Sequence, residues 1–456
     1  MPLTLISSRS DSERARRAAL RVSFPAALYA TNPAKAAAAW AAPNPTAKLN
    51  LSGAKDSGEQ AISLLNTAAE IEHGLMIEYL YAAGSLQDAD AASLIAAIAS
   101  EEMGHLVTVQ NLLLALGGDP CLQRQDQHGD PKLDPFRFEL RPARLPVVAA
   151  FVAAESPQPG SLRWCRRREL ARIVAKAETH LSGVAIHRVA VVYGQLRALL
   201  LNDPLFEQVG ADPAAAAHQA SPDEAWAHGG LDRAMIVRSI DSNAEAVAAV
   251  DAIASQGEGF TTCAHSHFER FRRLYRGIRR SRWVPNVLLR FDGMLTHRLP
   301  RLWRALGFYA PGVSLRPLGI AGRPGTELLN ARYRILLLSI HAVLDRRRTD
   351  PDRAQLISLL LREMALVFPA LLRWLRLHEE GGTEPGVFTL PPNFPPYAYD
   401  ERDERLKDDL ATSAARAAEL AGTASGALLA NVLTEISALD AARAALRDDD
   451  QEPNHG

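Results

Sequence analysis

The sequence predicts an all-α protein, and three observations carry that reading. Hydrophobic residues make up 47% of the 456 residues and aromatics only 6%, with abundant Ala, Leu and Arg, a balance that suits packed helices. Apolar residues recur at steps of three and four through most of the chain. Nothing reads as a paired set of strands, and no internal repeat is present.

The bounds are equally plain. The length suffices for two or three compact units with a real core. Lys plus Arg is 51 against 52 Asp plus Glu, so global charge argues for neither nucleic acid nor an acidic lipid surface. Cys121, Cys165 and Cys263 form no Cys-x-x-Cys pair and no complete disulfide set, which points to a reducing compartment. No run approaches 18 consecutive apolar residues, so no transmembrane helix is expected. The arginines at 14, 16 and 17 are not followed by a signal-type apolar core, and a cytoplasmic location is expected.

In chain order, residues 1–55 read as an arm with proline and alanine-rich pieces. A helix then starts near Ser57 and runs to about Ser85, its inward stripe being Leu65, Ala68, Ala69, Glu72, Leu75, Met76, Tyr79 and Ala83. Glu70 and His73 fall on the side shared with Ser63, Asn66 and Thr67, away from that stripe, and Tyr79 reads as core. A short turn at 87–90 leads to a second, antiparallel helix that the double glycine Gly117-Gly118 closes. Residues 119–145 carry turn chemistry, and Phe151–Pro157 is a short apolar piece. One helix is expected from Arg163 to Leu201, another over Asn243–Gln256, and a third from His265 into an arginine-rich stretch ending at Arg282. The seven arginines of 270–282 read as a solvated face or a contact with the acidic C-terminal region. Residues 56–282 thus form one bundle.

Prolines and glycines then mark a connector over 283–325. Two apolar helices follow within Thr326–His378, then an extended PPNFPPYAYD stretch, because proline blocks helix there. A helical region over Asp403–Leu446 completes a C-terminal unit spanning 326–446, and 447–456 reads as a disordered tail.

The chemistry starts with Glu102 and His105, which sit mid-stripe on the second helix with Ile98, Leu106, Val109 and Leu113. A buried carboxylate is costly unless paired, hydrogen-bonded or bound to metal. Glu-x-x-His places both groups one turn apart on one face, within reach of one ion. With Glu72 on the neighbouring helix, the two supply half of a dimetal site of the helix-bundle type.

These residues resemble the ferritin-like domain of iminophenyl-pyruvate dimer synthase type, found in proteins of the violacein and rebeccamycin bisindole pathways. The matching pieces are AAEIEHGLMIEYLYA (68–82), IASEEMGHLVTVQNLLLALGGDP (98–120), AIASQGEGF (252–260), SHFERF (266–271) and LNARYRILLLSI (329–340). The resemblance implies a ferritin-like four-helix bundle with additional C-terminal helices. It carries a metal-ligand role onto Glu72, Glu102, His105, Glu258 and His267. Two departures stand out. The third helix offers Val191 or Gln195 where a carboxylate belongs, with Glu178 and His187 as substitutes; Glu178 shares a stripe with Ala171, Val174 and Ala175. Glu258 and His267 lie nine residues apart, about 900° of turn on a straight helix and so on opposite faces. A joint is therefore expected at Gly259–Thr262.

The function expected is a metal-dependent oxidoreductase using non-haem iron, one or two ions, with manganese or zinc as alternatives. By resemblance its substrate is a small, amino-acid-derived aromatic compound of specialised metabolism, bound beside the metals under a roof of C-terminal helices. Other partners expected are a second copy of the chain or a biosynthetic partner enzyme, with neither nucleic acid nor membrane. The alternative is a metal-free scaffold or partner-binding subunit, which a missing third-helix carboxylate favours.

Overall fold

The computed structural model describes residues 56–124, 138–157, 162–180, 186–202, 205, 213–224, 235–257, 265–281, 318–379, 386–390, 399–423 and 427–448. The arm, most of the connector, residues 391–398 and 449–456, Glu258 and the Gly259–Thr262 joint lie outside them. Among the described residues there is no β-strand, and the fold is all-α.

Helix α1, Ser57–Gly84, begins where Asp56 accepts a hydrogen bond from the Glu59 amide at 2.9 Å. Helix α2, Ala89–Ala115, is capped in the same way by Asp88 through Ala91. It ends as the glycine pair requires: Gly117 takes φ +73°, and the Gly118 amide donates back to the Leu113 carbonyl at 2.8 Å. The two helices form the antiparallel pair at the centre of the molecule.

The other two helices of the bundle are each in two pieces. Leu145–Ala154 (α3) and Ala190–Asn202 (α5) together make the third. The Val189 amide donates to the Ala154 carbonyl at 3.2 Å, so the chain resumes where it left off. Between them Trp164–His180 (α4) is an insertion packed on α3. A single helix over 163–201 is therefore not what forms: residues 186–189 are non-helical, and the sequence just upstream holds Ser182-Gly183, both weak helix formers. After the short α6, Pro213–His218, the fourth bundle helix is likewise split into α7, Asn243–Gln256, and α8, His267–Ser281. Helix α8 packs on α3 and α7 on α5, as antiparallel broken rods must.

The C-terminal unit consists of α9 (Pro324–Asp345), α10 (Arg353–Arg362), a π turn over Glu363–Val367, α11 (Phe368–His378), α12 (Tyr399–Thr423) and α13 (Ala427–Asp448). The π turn has a cause: Pro369 has no N–H to donate, and its ring crowds the carbonyl four residues back. By length and composition Arg353–His378 is apolar enough to cross a membrane, against the sequence expectation, yet most of that stretch is buried inside the protein. Helix α13 runs to Asp448, past the 446 limit expected, and residues 449–456 lie outside the described ones.

Of these, α11 packs on α1, and the π turn also meets α2. Tyr333 of α9 reaches His73 Nε2 at 2.6 Å, and Glu70 accepts from Gln123 at 3.2 Å. Glu70 and His73 are thus buried, where the sequence pattern assigns them to an outward side. An amphipathic pattern marks one face for burial, and a second layer of helices then covers the other.

Candidate metal centre

The break in the third helix and the break in the fourth stand at the same level of the bundle, facing the middle of α1 and α2. Five ligand-type side chains meet there: Glu72 of α1, Glu102 and His105 of α2, Glu155 at the end of α3, and His267 at the start of α8. All are 0–2% exposed. They fall into two triads, Glu72–Glu102–His105 and Glu102–Glu155–His267, with the ligand atoms of each within 4.8 Å of one another. Glu102 belongs to both.

His105 Nδ1 lies 2.7 Å from Glu102 Oε2 and 3.4 Å from Glu72 Oε2. His267 Nδ1 lies 3.0 Å from Glu102 Oε1 and 3.7 Å from Glu155 Oε2. Both imidazoles therefore present Nδ1 to the carboxylates. Their Nε2 atoms point outward to fixed partners, Gln256 Oε1 at 3.0 Å for His105 and Glu101 Oε2 at 2.8 Å for His267. Arg270 donates through Nη1 to both oxygens of Glu101 at 2.7 and 2.6 Å. Although burial works against it, that guanidinium holds the Glu101 carboxyl below its ordinary range, so His267 Nε2 must be the donor. A histidine whose outer nitrogen donates to a carboxylate or amide leaves the inner one free to bind a metal.

The two outer carboxylates are also held. Tyr193 of α5 donates to Glu72 Oε1 and Tyr79 of α1 to Glu155 Oε1, each at 2.5 Å. The Tyr79 ring is fixed between Phe151 and Phe271, with centroids 4.7 and 4.8 Å away. Each carboxylate thus has one oxygen tied back and the other aimed inward. Those inward atoms, Glu72 Oε2, Glu102 Oε1 and Glu155 Oε2, together with His267 Nδ1, make no aligned hydrogen bond, and the carboxylate oxygens meet only the imidazole nitrogens, at 3.0–3.7 Å. Four buried polar atoms held only by ion-pair contacts are costly in one dry spot, and a cation among them lowers the cost.

The electrostatics agree. Burial, with the Glu102 charge beside it, raises the Glu72 carboxyl to about 7, and burial with Glu102 raises Glu155 as well. Glu102 goes the other way: despite burial, His267 and His105 hold it far below the ordinary carboxylate range. Against the pull of burial, Glu102 and Glu72 lift His105 to about 10, and the carboxylates lift His267 well above its ordinary value. Protons on the imidazoles thus supply the positive charge the carboxylates demand, and divalent ions would supply it in their place.

Of the residues expected from sequence, Glu72, Glu102, His105 and His267 are brought together. Glu258 lies outside the described residues. Glu178 is not part of either triad: it is half-buried on α4, whose buried face is Leu170, Ile173 and Ala177 rather than the Ala171–Val174–Ala175 stripe. Helix α4 is an insertion and not the third bundle helix, which removes the reason for placing Glu178 inward. His187 is half-buried just before α5 and also outside both triads. The third-helix carboxylate is Glu155, which sequence reasoning missed. The signal was there, in an apolar LPVVAAFVAA run ending directly in Glu155 before Ser156-Pro157. Glu155 also removes the vacancy that favours a metal-free scaffold.

The comparisons with known proteins fit this geometry. A family model described as ferritin-like matches residues 65–276, the span that contains all five clustered residues. That span is thus similar to ferritin-like domains. A crystal structure of a ferritin-like protein from Caulobacter vibrioides is 18% identical, with 78% of this chain and 94% of that one covered at a TM-score of 0.34. None of the curated proteins matches.

Proposed function

We propose that the protein is an oxidoreductase that uses non-haem iron, in one or two ions, to act on a small organic substrate. The observation that carries this is the convergence of two buried Glu/His triads, sharing Glu102, from four separate helical segments. Bound iron would supply one-electron redox chemistry and oxygen activation.

The chain's own residues do the rest. Glu102, with one oxygen toward each histidine, would hold an ion in either triad. Glu72 with His105, and Glu155 with His267, close the two ends. Tyr193 and Tyr79 orient the outer carboxylates, while Gln256 and the Glu101–Arg270 pair orient the imidazoles. Near-complete burial excludes bulk water from the centre. The resemblance to bisindole-pathway proteins supports an amino-acid-derived aromatic substrate and a place in specialised metabolism.

Anaerobic titration with ferrous iron, followed by absorption spectroscopy on exposure to oxygen, tests the reading. One or two irons per chain and an oxygen-dependent spectral change are expected. A Glu102→Ala, His105→Ala double variant should stay folded and take up none. Failure of the native protein to bind iron, or binding with no response to oxygen, would sink it.

A further inference from the structure

Helix α4, the insertion within the third bundle helix, buries only Leu170, Ile173 and Ala177. Its other side is basic. Arg168, Arg172 and Lys176 follow Trp164 at steps of four, a ridge of cations about 6 Å apart on a helix about 25 Å long. Arg163 and Arg167 flank it, and all five cations are exposed. The nearby acids are engaged elsewhere: Glu169 holds Arg272 and Arg276 of α8, and Glu269 holds Arg166 and Arg272. Glu178, half-buried, is the other acid of the helix. These ion pairs lock α8 alongside α4. Over 163–180 and 267–281 the chain carries twelve Lys and Arg against three Asp and Glu, although the whole molecule balances 51 against 52. Overall neutrality thus conceals a basic side.

Trp164 is 66% exposed, and the Arg168 guanidinium stands 4.8 Å over its ring. The other exposed large apolar side chains of the described residues, Leu201 and Leu377, lie on α5 and α11. A protein partner asks for an apolar, charge-poor centre, which one tryptophan among arginines does not make. A nucleic acid strand asks for several stacking aromatics, and this face has one. An anionic bilayer asks for neither. Clusters of about four to eight Lys or Arg on a helix hold such a surface by charge, and tryptophan favours the depth of the headgroups.

We propose that the exposed face of α4 docks the protein onto an anionic lipid surface, with the cation ridge on the headgroups and Trp164 seated among them. Because its apolar residues are spent on the bundle, α4 lies on the membrane and does not enter it. The proposal stands apart from the metal reading.

The test is co-sedimentation of the full chain with vesicles of phosphatidylcholine alone and with about one-third phosphatidylserine. The native protein should bind the anionic vesicles at least tenfold more tightly than the neutral ones, and added salt should release it. Arg168→Glu with Arg172→Glu should weaken that binding at least tenfold. Lys407→Glu with Arg416→Glu, on α12, changes net charge equally and should leave it unaltered. Trp164→Ala should weaken it severalfold. Circular dichroism checks that each variant stays helical; if the first pair does not, Arg168→Gln with Arg172→Gln replaces it. Equal binding to both kinds of vesicle, or to neither, overturns the proposal. So does an equal loss in the α12 pair. Binding to duplex DNA without binding to vesicles also overturns it and gives the face to nucleic acid.

Discussion

Glu101 grips the outer nitrogen of His267, with Oε2 2.8 Å from Nε2, while its neighbour in sequence, Glu102, faces the inner nitrogen of the same ring. Consecutive residues on a helix diverge by about 100°. Both reach one imidazole because that ring is seated at a helix start and not along a continuous helix. The pair divides the labour, with Glu101 setting the ring's tautomer and Glu102 left for the ion.

Removing the outer grip should therefore be felt at the centre. Glu101→Gln leaves Arg270, 4% exposed, without its carboxylate. A stability loss of about 3 kcal/mol is expected, since breaking a buried pair strands the other charge. Metal affinity should fall roughly 10–100-fold, the usual cost of losing a partner behind a ligand. Thermal unfolding and chelator competition check the two effects separately.

The tyrosines act on the carboxylates alone. Tyr79→Phe and Tyr193→Phe should each weaken iron binding about tenfold with a loss of only about 1–2 kcal/mol in the metal-free protein. The spectrum of the loaded protein should shift in each, because the carboxylate it released can swing. Iron affinity unchanged from the native protein in both variants would count against a positioning role.

Metal uptake must displace the protons on the two imidazoles. With His105 raised to about 10 and His267 raised as well, iron binding should release protons throughout the neutral range, and affinity should climb as pH rises toward 10. A pH-indicator dye in weak buffer measures the release directly. Affinity flat between pH 6 and 9 would contradict it.

Away from the centre, Glu78 is 4% exposed and accepts a hydrogen bond from the Glu139 amide at 2.8 Å. Burial raises its carboxyl from 4.5 to about 8. The folded state thus keeps a proton that the unfolded state gives up above pH 4.5. Its contribution is full below pH 4.5 and is lost as pH rises through 8. Glu78→Gln keeps the acceptor and cannot ionise, so it should be more stable than the native protein at pH 9, by on the order of 4 kcal/mol, and equal to it near pH 4. Denaturant unfolding at the two pH values measures it.

Much of the centre was legible in the chain. Glu72, Glu102 and His105 show themselves because each interrupts an apolar stripe at helical spacing, a purely local signal. His267 came only through resemblance, since its helix starts with it and offers no stripe before it. Glu155 escaped because the third helix was sought in the wrong segment: an insertion separates α3 from α5, and periodicity cannot say which two pieces of chain stack end to end.

Taken alone, the sequence determined that the protein is helical, where α1, α2 and α7 begin and end, and which charged residues lie on apolar faces. Spacing and capping settle these within a few turns of chain. Only the tertiary structure decided that α3 and α5 form one interrupted helix, that Glu155 completes the carboxylate set, and that α1 is covered on both sides. Those outcomes depend on contacts between segments tens to hundreds of residues apart, where no local pattern records who the neighbour will be.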